Sequence, residues 1–375
     1  MSAQDSGGAT GGRVSARLPD FPWDHLTSVA ATARAHPDGI VDLSVGTPVD
    51  PSPEVAQRTL AAAADSPGYP VTIGLEATRQ AALDWMRRRL GVVDVGLDGV
   101  LPVVGSKELI GSLPLHLGIG AGDLVVHPAL AYPTYEVGAR LAGAEAFATD
   151  ALTAVGPRTP ALVFVNSPAN PTGRMLPADH LRKMVDWCRE RGSLLVSDEC
   201  YVEFAWDDEP VSVLHPDICG GSTEGILAIH SLSKRSNLAG YRCAFVAGDP
   251  VVVGELLAVR KNLGLQMPGP QQRVMAAVLD DDDHVAEQRL RYAARRAALR
   301  AALESAGFRV DHSEGSLYLW ATRGEDCWAT VGSLAERGIL VAPGAFYGPG
   351  GREHVRVAFT ATDERVAAAV QRLAG

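Results

Sequence analysis

The chain has 375 residues, of which 46% are hydrophobic and 21% are charged, and its formal net charge at pH 7 is −10. This length and composition are typical of a globular protein with one large domain or two of ordinary size, and they exclude a disordered chain. The acidic balance argues against nucleic acid or an anionic membrane as a partner, because either would need a clustered basic surface.

The N-terminal part of the sequence predicts a tail, a packing segment and two helices. Residues 1–12 are rich in Gly, Ser and Ala, and we expect them to be disordered. Residues 13–40 contain a proline-punctuated stretch that prevents an early helix, and we expect this segment to pack with a small C-terminal domain. Apolar positions three or four residues apart then predict helices over residues 52–64 and 76–90.

The rest of the chain predicts two domains of different construction. From about residue 100, short apolar runs alternate with amphipathic stretches, which is typical of a mostly parallel sheet covered on both faces. We assign residues 41–270 to this large domain. An acidic run is followed by a long helix over residues 285–306, several strands and a closing helix from Asp363. Residues 271–375 are therefore predicted to form a smaller α+β domain.

The cysteines and the lack of membrane signals favour a location in the cytoplasm. The five cysteines are odd in number and have no CxxC spacing, which favours reduced thiols over a disulfide framework or a zinc site. No apolar run is long enough to cross a bilayer, and residues 1–12 lack a signal-peptide pattern. We therefore expect a cytoplasmic protein without a metal site.

The strongest chemical signal is the segment SLSKRSNLAGYR, which begins at Ser231 and follows an apolar run. Its position predicts that Ser231, Lys234 and Arg242 lie at the edge of the sheet, where open α/β sheets bind ligands. A lysine beside hydroxyl groups, with an arginine further along, could form a covalent imine and bind a phosphate. The alternative interpretation is a solvated basic turn.

Two further motifs also follow apparent strands. NSPANPTG contains Asn170, which in isolation would be a turn-former, and SDECY contains Asp198, which in isolation could be a helix N-cap. All three motifs occur in this order, each at the end of an apparent strand. That co-occurrence favours a ligand site over the separate interpretations.

Together the motifs NxPxNPTG, SDExY and SxSKxxxLxGxR resemble those of the class I and II aminotransferases, and the resemblance covers nearly the whole chain. It implies the α/β fold of the fold type I pyridoxal-phosphate enzymes, in which a large domain with a mostly parallel sheet is joined to a smaller α+β domain. It also implies pyridoxal 5′-phosphate as the cofactor.

The resemblance assigns roles around this cofactor. Lys234 would hold it as an imine, and Asp198 would pair with the protonated pyridine nitrogen that makes the ring an electron sink. Tyr201 and Asn170 would hydrogen-bond the phenolic oxygen, and Tyr132 would stack on the ring. The residues expected to hold the phosphate are Gly105, Ser106, Lys107, Ser231 and Arg242, with Ser233 as a further candidate.

The resemblance also implies how the substrate binds. Arg356, in HVRVAFT, would hold the substrate α-carboxylate as a planar bidentate donor, helped by Asn170 and by the backbone of Gly46. Tyr69, in GYPVTIG, would reach the phosphate of a neighbouring subunit, which would make the protein a homodimer with shared active sites. Lys234, once freed, would move the proton as general base and acid.

Longer stretches such as HPDGIVDLSVGTPVDP and LAYPTYEVGARLAGA are similar to the N-succinyldiaminopimelate aminotransferases. This similarity implies that N-succinyl-LL-2,6-diaminopimelate and 2-oxoglutarate are interconverted with the 6-oxo compound and glutamate, in lysine biosynthesis. The alternatives are an aminotransferase of another amino acid, a pyridoxal-phosphate-dependent lyase on the same fold, and a regulatory protein that binds the cofactor. Candidates for binding a distal carboxylate are Arg17, Lys107, Lys261 and Asn262.

Overall fold

The computed structural model describes residues 14–375, and the tail predicted to be disordered, residues 1–12, lies outside the described residues. The strands are β1 Val41–Asp42, β2 Val100–Val103, β3 Leu124–His127, β4 Glu145–Ala148, β5 Leu162–Asn166, β6 Leu194–Asp198, β7 Ile226–Ser231, β8 Ala244–Gly248, β9 Arg309–Asp311, β10 Tyr318–Thr322, β11 Ile339–Leu340, β12 Ala342–Pro343 and β13 Val355–Ala358. The α-helices are α1 Thr27–Arg34, α2 Glu54–Ala62, α3 Glu76–Leu90, α4 Ser106–His116, α5 Thr134–Ala142, α6 Ala178–Arg191, α7 Pro216–Cys219, α8 Leu232–Arg235, α9 Pro250–Leu263, α10 Gly269–Leu279, α11 Asp283–Ser305, α12 Cys327–Glu336 and α13 Asp363–Ala374.

The large domain is built on a seven-stranded sheet with the order β2-β8-β7-β6-β5-β3-β4. Only β8 runs against the others, since it pairs antiparallel with both β2 and β7. Strands β5, β7 and β8 are buried along their whole length, as expected for a sheet that is covered by helices on both faces. The predicted fold class is therefore confirmed.

The small domain contains a four-stranded antiparallel sheet with the order β12-β13-β10-β9 and a two-stranded parallel pair, β1 with β11. Helices α11, α12 and α13 pack with these strands. Helix α1 also joins this core through Ala30 and Ala33, and Leu26 just before the helix is buried with them, so this part of the N-terminal segment lies against the small domain.

Most predicted helices match the structure closely. Helix α3 has the predicted limits, α2 is shorter than the predicted 52–64, and α11 begins two residues before the predicted 285–306. The periodicity succeeds here because each helix has one apolar face against a core and a polar face outside.

The limits of the large domain differ from the predicted residues 41 and 270. Strand β1 belongs to the small domain through its pairing with β11. Helix α10 belongs to the large domain, because its buried Val274, Met275 and Val278 share the core with α2 and α3. Packing thus places the change of core after Leu279, at the acidic run, where the polarity of the chain also changes.

The described part of the chain contains neither a membrane-spanning helix nor a metal-binding group of side chains. No helix over residues 14–375 combines the length and apolarity needed to span a membrane. The same residues contain no group of three His, Cys, Asp or Glu side chains placed to hold a metal ion. The five cysteines are all unpaired thiols.

Candidate active site

A cavity of about 490 Å³ opens at the carboxyl ends of β5, β6 and β7, and the small domain and the N-terminal segment form its other wall. Asn166, Asp198 and Ser231 are the last residues of these three strands and all line it. Parallel strands bring their carboxyl ends to one edge of the sheet, which is why three motifs distant in sequence meet here.

Asp198 lies buried at the base of this cavity. Its Oδ2 accepts a hydrogen bond from the Tyr135 hydroxyl at 2.7 Å, and its Oδ1 accepts one from the Cys200 backbone N–H at 3.1 Å. Burial raises the pKa of the Asp198 carboxyl, these hydrogen bonds oppose the rise, and no described residue supplies a cationic partner. A buried carboxylate with only neutral partners is suited to hold a cation placed in the cavity.

Glu199, the residue that follows Asp198 in the chain, is a second buried acid. Glu199 Oε2 lies 3.6 Å from His230 Nε2, and both side chains are almost fully buried. Burial raises the pKa of Glu199 to about 7 and lowers the pKa of His230 to about 3. Burial thus favours the neutral forms of both Glu199 and His230.

Lys234 lies on the short helix α8, which begins directly after β7. The Ser231 hydroxyl caps this helix by accepting a hydrogen bond from the Ser233 backbone N–H at 3.2 Å. The Lys234 Nζ donates to the backbone carbonyl of Gly46. Burial lowers the pKa of the Lys234 ammonium, which makes the neutral, nucleophilic amine available at a lower pH than in a free lysine.

The turn before α4 forms a cradle for an anion together with Arg242. Gly105 has φ +89°, and a Cβ at this position would collide with the Arg242 guanidinium. The positive φ favours glycine here, and a side chain would also displace the Arg242 guanidinium from the turn. Helix α4 begins at Ser106, so its first backbone N–H groups lack partners within the helix and point out of its N-terminus. Ser231 and Arg242 line the same cavity.

Arg356 is buried on β13 and reaches the cavity from the small domain. Its Nη1 donates to Asn170 Oδ1 at 2.8 Å and its Nη2 donates to the Ser44 carbonyl at 2.7 Å. Its Nε is buried and has no hydrogen-bond partner among the described residues. The guanidinium also lies 4.0 Å from the centre of the Tyr318 ring. A carboxylate in the cavity would supply the acceptor that Arg356 lacks.

Tyr201 and Tyr318 connect the two domains at the cavity. Their hydroxyl groups are 2.8 Å apart, so one donates to the other. Burial raises the pKa of Tyr201 well above its usual value, so its hydroxyl stays protonated. The Tyr318 ring lies against Gly46, where any side chain would collide with it. Tyr201 therefore lines the cavity together with Tyr318, a residue that lies outside the SDECY motif.

Aromatic side chains and one lysine form the mouth of the cavity. Phe21 and Trp23 come from the N-terminal segment, and Tyr132 comes from the turn before α5. The Lys107 Nζ lies 5.3 Å from the centre of the Phe21 ring and 5.7 Å from that of Tyr132. The side chain of Lys107 is thus placed at the mouth, while its backbone belongs to the turn at Gly105.

Three other predicted residues do not line the cavity of the described chain. The side chain of Tyr69 is 99% exposed. Lys261 and Asn262 are exposed near the end of α9, and Asn262 donates to the Ala258 carbonyl. The side chain of Arg17 lies outside the described part of the structure. The remaining predicted site residues all line the cavity, except Gly105, which contacts Arg242 beside it.

The residues present fit pyridoxal phosphate. The buried Asp198 carboxylate, which has no cationic partner among the described residues, suits a pyridinium. The buried Lys234, whose neutral amine is favoured over its ammonium form, suits an aldehyde carbon, and the Gly105 turn beside Arg242 suits a phosphate. The site would hold the cofactor through Asp198, Lys234, Gly105, Ser231 and Arg242.

Several residues of the site were not predicted from the sequence. Tyr135 lies three residues after Tyr132 in LAYPTYEV, and this pair of tyrosines was the feature of the sequence that could have indicated it. Tyr318 occupies a predicted strand, SLYLWAT, but nothing in the sequence pairs this strand with that of Arg356. Phe21 and Trp23 lie in LPDFPWD, where two aromatic residues between prolines were the only indication.

Known proteins resemble this chain over nearly its whole length. A family model described as "Aminotransferase class I and II" matches residues 38–373. A Mycobacterium tuberculosis protein named "Probable aminotransferase Rv1178" is 60% identical over 99% of this chain and 92% of its own length. The 4-dedimethylamino-4-oxo-anhydrotetracycline transaminase OxyQ of Streptomyces rimosus is 58% identical over 95% of this chain and 99% of its own length. The solved structure of N-succinyldiaminopimelate aminotransferase from Mycobacterium tuberculosis has a TM-score of 0.87 at 26% identity and covers 97% of this chain and 99% of its own.

Proposed function

The chain belongs to the class I and II aminotransferases, whose members use pyridoxal phosphate, and we propose that it moves an amino group from glutamate to a keto acid that carries a second, distal carboxylate. The observation that carries the proposal is the meeting of Lys234, Asp198 and Arg356 in one cavity. These three groups suit, respectively, a reactive carbonyl, a pyridinium and an α-carboxylate.

Pyridoxal phosphate, when bound, supplies an electron sink for the electron pair left behind as the substrate Cα loses its proton. The residues of the chain do the rest. Asp198 would pair with the ring nitrogen and favour its protonated form, because it is a buried carboxylate that has no cationic partner among the described residues. Lys234 accepts the proton from Cα and returns it, and its lowered pKa favours the amine that can act as a base.

Arg356 orients the substrate for this proton transfer. Its guanidinium is already fixed by Asn170 and by the Ser44 carbonyl, so it loses little conformational freedom on binding a carboxylate. The Asn170 backbone N–H is in turn held by Asn166 Oδ1 at 2.7 Å. A carboxylate at Arg356 therefore meets a rigid donor, which places Cα at a constant distance from the reacting groups.

For the acceptor we propose N-succinyl-2-amino-6-oxopimelate, which carries a distal carboxylate and a succinyl group. Lys107 supports this choice, because its Nζ stands at the mouth of the cavity between Phe21 and Tyr132. A lysine there can bind a remote carboxylate while Arg356 holds the α-carboxylate. The fold shared with an N-succinyldiaminopimelate aminotransferase at 26% identity is a further support.

A second candidate acceptor is a polycyclic ketone. It is favoured by the 58% identity to a transaminase whose name describes an anhydrotetracycline substrate. The aromatic mouth formed by Phe21, Trp23 and Tyr132 would contact flat rings as readily as it contacts an aliphatic chain. The two candidates differ in charge, since the first needs a distal cation and the second does not.

An acceptor screen separates the two candidates. With glutamate as donor, we expect amination of N-succinyl-2-amino-6-oxopimelate to exceed that of oxaloacetate, pyruvate, phenylpyruvate and an anhydrotetracycline ketone. Lys107→Met should lower kcat/KM for the succinylated acceptor roughly 10- to 100-fold, as for a lost charged hydrogen bond, and leave pyruvate little changed.

Lys261→Met is the matched control, because Lys261 is also an exposed lysine but lies outside the cavity. A preference for a short, aromatic or polycyclic acceptor would contradict the distal-carboxylate proposal and leave the aminotransferase assignment intact. Release of pyruvate or ammonia without any acceptor would instead indicate a lyase.

We also propose that two copies of the chain share their active sites. Tyr69 is 99% exposed in the single chain, and the nearby Val71 is 54% exposed, so a large aromatic and an aliphatic side chain are left uncovered in the same loop. A partner chain would cover this loop if the Tyr69 hydroxyl entered the partner's anion site, formed by the turn before α4 and Arg242.

Complementation tests the shared site. Tyr69→Phe and Lys234→Ala chains are each expected to be impaired, and mixing them should restore activity in hybrid dimers that have one site with neither change. Tyr69→Phe alone must first be shown to be strongly impaired. Absence of recovery despite proven exchange of subunits would contradict the proposal.

A further inference from the structure

The three residues that follow Lys234 are each hydrogen-bonded to the chain that leads into the small domain. We call residues 235–237 the coupling turn. It begins at Arg235, the last residue of α8, so no flexible segment separates it from Lys234. Its partners lie on α10, on the acidic linker and on α11.

Arg235 ties the Lys234 helix to the linker between the domains. Its side chain is 3% exposed, its Nη1 donates to the Val278 carbonyl at 2.6 Å, and its Nη2 donates to Asp282 Oδ1 at 3.2 Å. Asp282 is also held by Arg88, whose Nε is 2.8 Å from its Oδ2. The acidic run at residues 280–283 is therefore held against α8 through Asp282.

Ser236 and Asn237 continue the same contact onto α11. The Ser236 Oγ is 2.9 Å from His284 Nε2, and Asn237 Nδ2 donates to Gln288 Oε1 at 3.2 Å. The Tyr292 hydroxyl donates to Asn237 Oδ1 at 3.3 Å. These three partners are four residues apart on one helix, so they form a single stripe that faces the coupling turn.

The same helix forms part of the core around Arg356. Tyr292, Leu299 and Leu303 of α11 are buried in one cluster with Val355 and Val357, the residues that flank Arg356 on β13. A rigid path of packed side chains thus joins the carboxylate-binding arginine to α11, and hydrogen bonds join α11 to the residues after Lys234.

We propose that the coupling turn and its partners on α11 are positioning residues, which hold the Lys234 amine at a constant distance from the Arg356 guanidinium. The proposal rests on the proposed function, in which Lys234 carries the cofactor and Arg356 binds the substrate carboxylate. Neither group needs the turn for its own binding. The turn matters for reaction, because the amine must meet Cα while the carboxylate is held elsewhere.

The test compares Asn237→Ala, Gln288→Ala and their double variant, each loaded with pyridoxal phosphate. Three quantities are measured: the affinity for glutarate, a dicarboxylate that cannot react; the pH midpoint of the cofactor's absorbance change; and the rate of the half-reaction with glutamate. We expect glutarate affinity close to that of the unchanged protein, a displaced midpoint, and a rate roughly 10-fold lower.

The double variant shows whether the loss of rate results from the hydrogen bond between Asn237 and Gln288. Because Asn237 and Gln288 are partners, the loss in the double variant should be smaller than the sum of the two single losses. Arg296→Gln is the control on the same helix, since Arg296 pairs with Asp207 and does not touch the coupling turn. It should leave both the midpoint and the rate unchanged.

The outcomes separate this inference from the proposed function. If the unchanged protein binds pyridoxal phosphate without linking it to Lys234, as judged by borohydride reduction and peptide mapping, the proposed function fails. If Lys234 is labelled but the single variants keep the normal midpoint and rate, or if their effects add, the coupling turn has no positioning role.

Discussion

The two walls of the cavity are built in different ways. On the large-domain wall, Asn166, Asp198 and Ser231 each end a strand, and Lys234 follows three residues after the last of them. On the opposite wall, Phe21, Gly46, Tyr318 and Arg356 come from four separate parts of the chain. In the proposed function, the first wall would supply the groups that change bonds. The second wall would contact the substrate and fix its orientation.

This difference teaches what each wall can tolerate. The strand ends are held by backbone pairing, on both sides at Asp198 and on one side at Asn166 and Ser231, so we expect the large-domain groups to keep their positions whatever occupies the mouth. The second wall depends on side-chain contacts between elements that are distant in sequence. We therefore expect changes on the first wall to lower rate by powers of ten and changes on the second wall to have smaller effects that depend on the substrate.

The largest expected effect comes from Asp198→Asn, on the first wall. Asparagine has nearly the same shape but no charge, so the positive ring nitrogen loses its stabilisation. We expect the half-reaction with glutamate to slow by roughly a thousandfold, equivalent to about 4 kcal/mol, when it is followed by stopped-flow absorbance. Binding of pyridoxal phosphate should persist, because Gly105, Ser231 and Arg242 remain.

Tyr135→Phe is the matched control for that experiment. It removes the hydroxyl that donates to Asp198 Oδ2 at 2.7 Å but leaves the charge in place. Its effect should therefore be much smaller than that of Asp198→Asn. Near-normal turnover in Asp198→Asn would show that the large-domain wall does not supply the charge for the chemistry.

The smallest expected effect comes from Tyr318→Phe, on the second wall. The change removes the hydrogen bond to Tyr201 but keeps the ring against Gly46 and under the Arg356 guanidinium. A neutral hydrogen bond contributes about 0.5–1.5 kcal/mol, so kcat/KM should fall roughly 2- to 10-fold. Steady-state kinetics with glutamate measures this loss. A loss as large as that of Asp198→Asn would place Tyr318 among the groups of the chemistry and remove the contrast between the walls.

The sequence predicted the first wall more completely than the second. Asp198 and Lys234 stand in contiguous motifs directly after apolar runs, so their location at the sheet edge follows from local order. Tyr318 could not be found in this way, because its contact with Tyr201 depends on how β10 and β13 pair and how the small domain meets the large one. Arg356 was found only through the family resemblance.

The domain boundary illustrates the same limit. Helix α10 reads as an ordinary amphipathic helix, and its sequence does not say which of two cores its apolar face will join. Packing against α2 and α3 decides the matter, and these helices precede it by more than a hundred residues. Contacts between elements so distant in sequence are tertiary information, which local periodicity does not contain.

The placement of Phe21 and Trp23 has a consequence for how substrate choice can change over generations. Both side chains precede the first α-helix and stand outside every motif of the large-domain wall. Mutations in this short stretch can therefore alter which acceptor enters without touching the residues that move the proton. A gene for such a protein can acquire a different substrate through a few codons in this stretch, while the reaction itself is inherited intact.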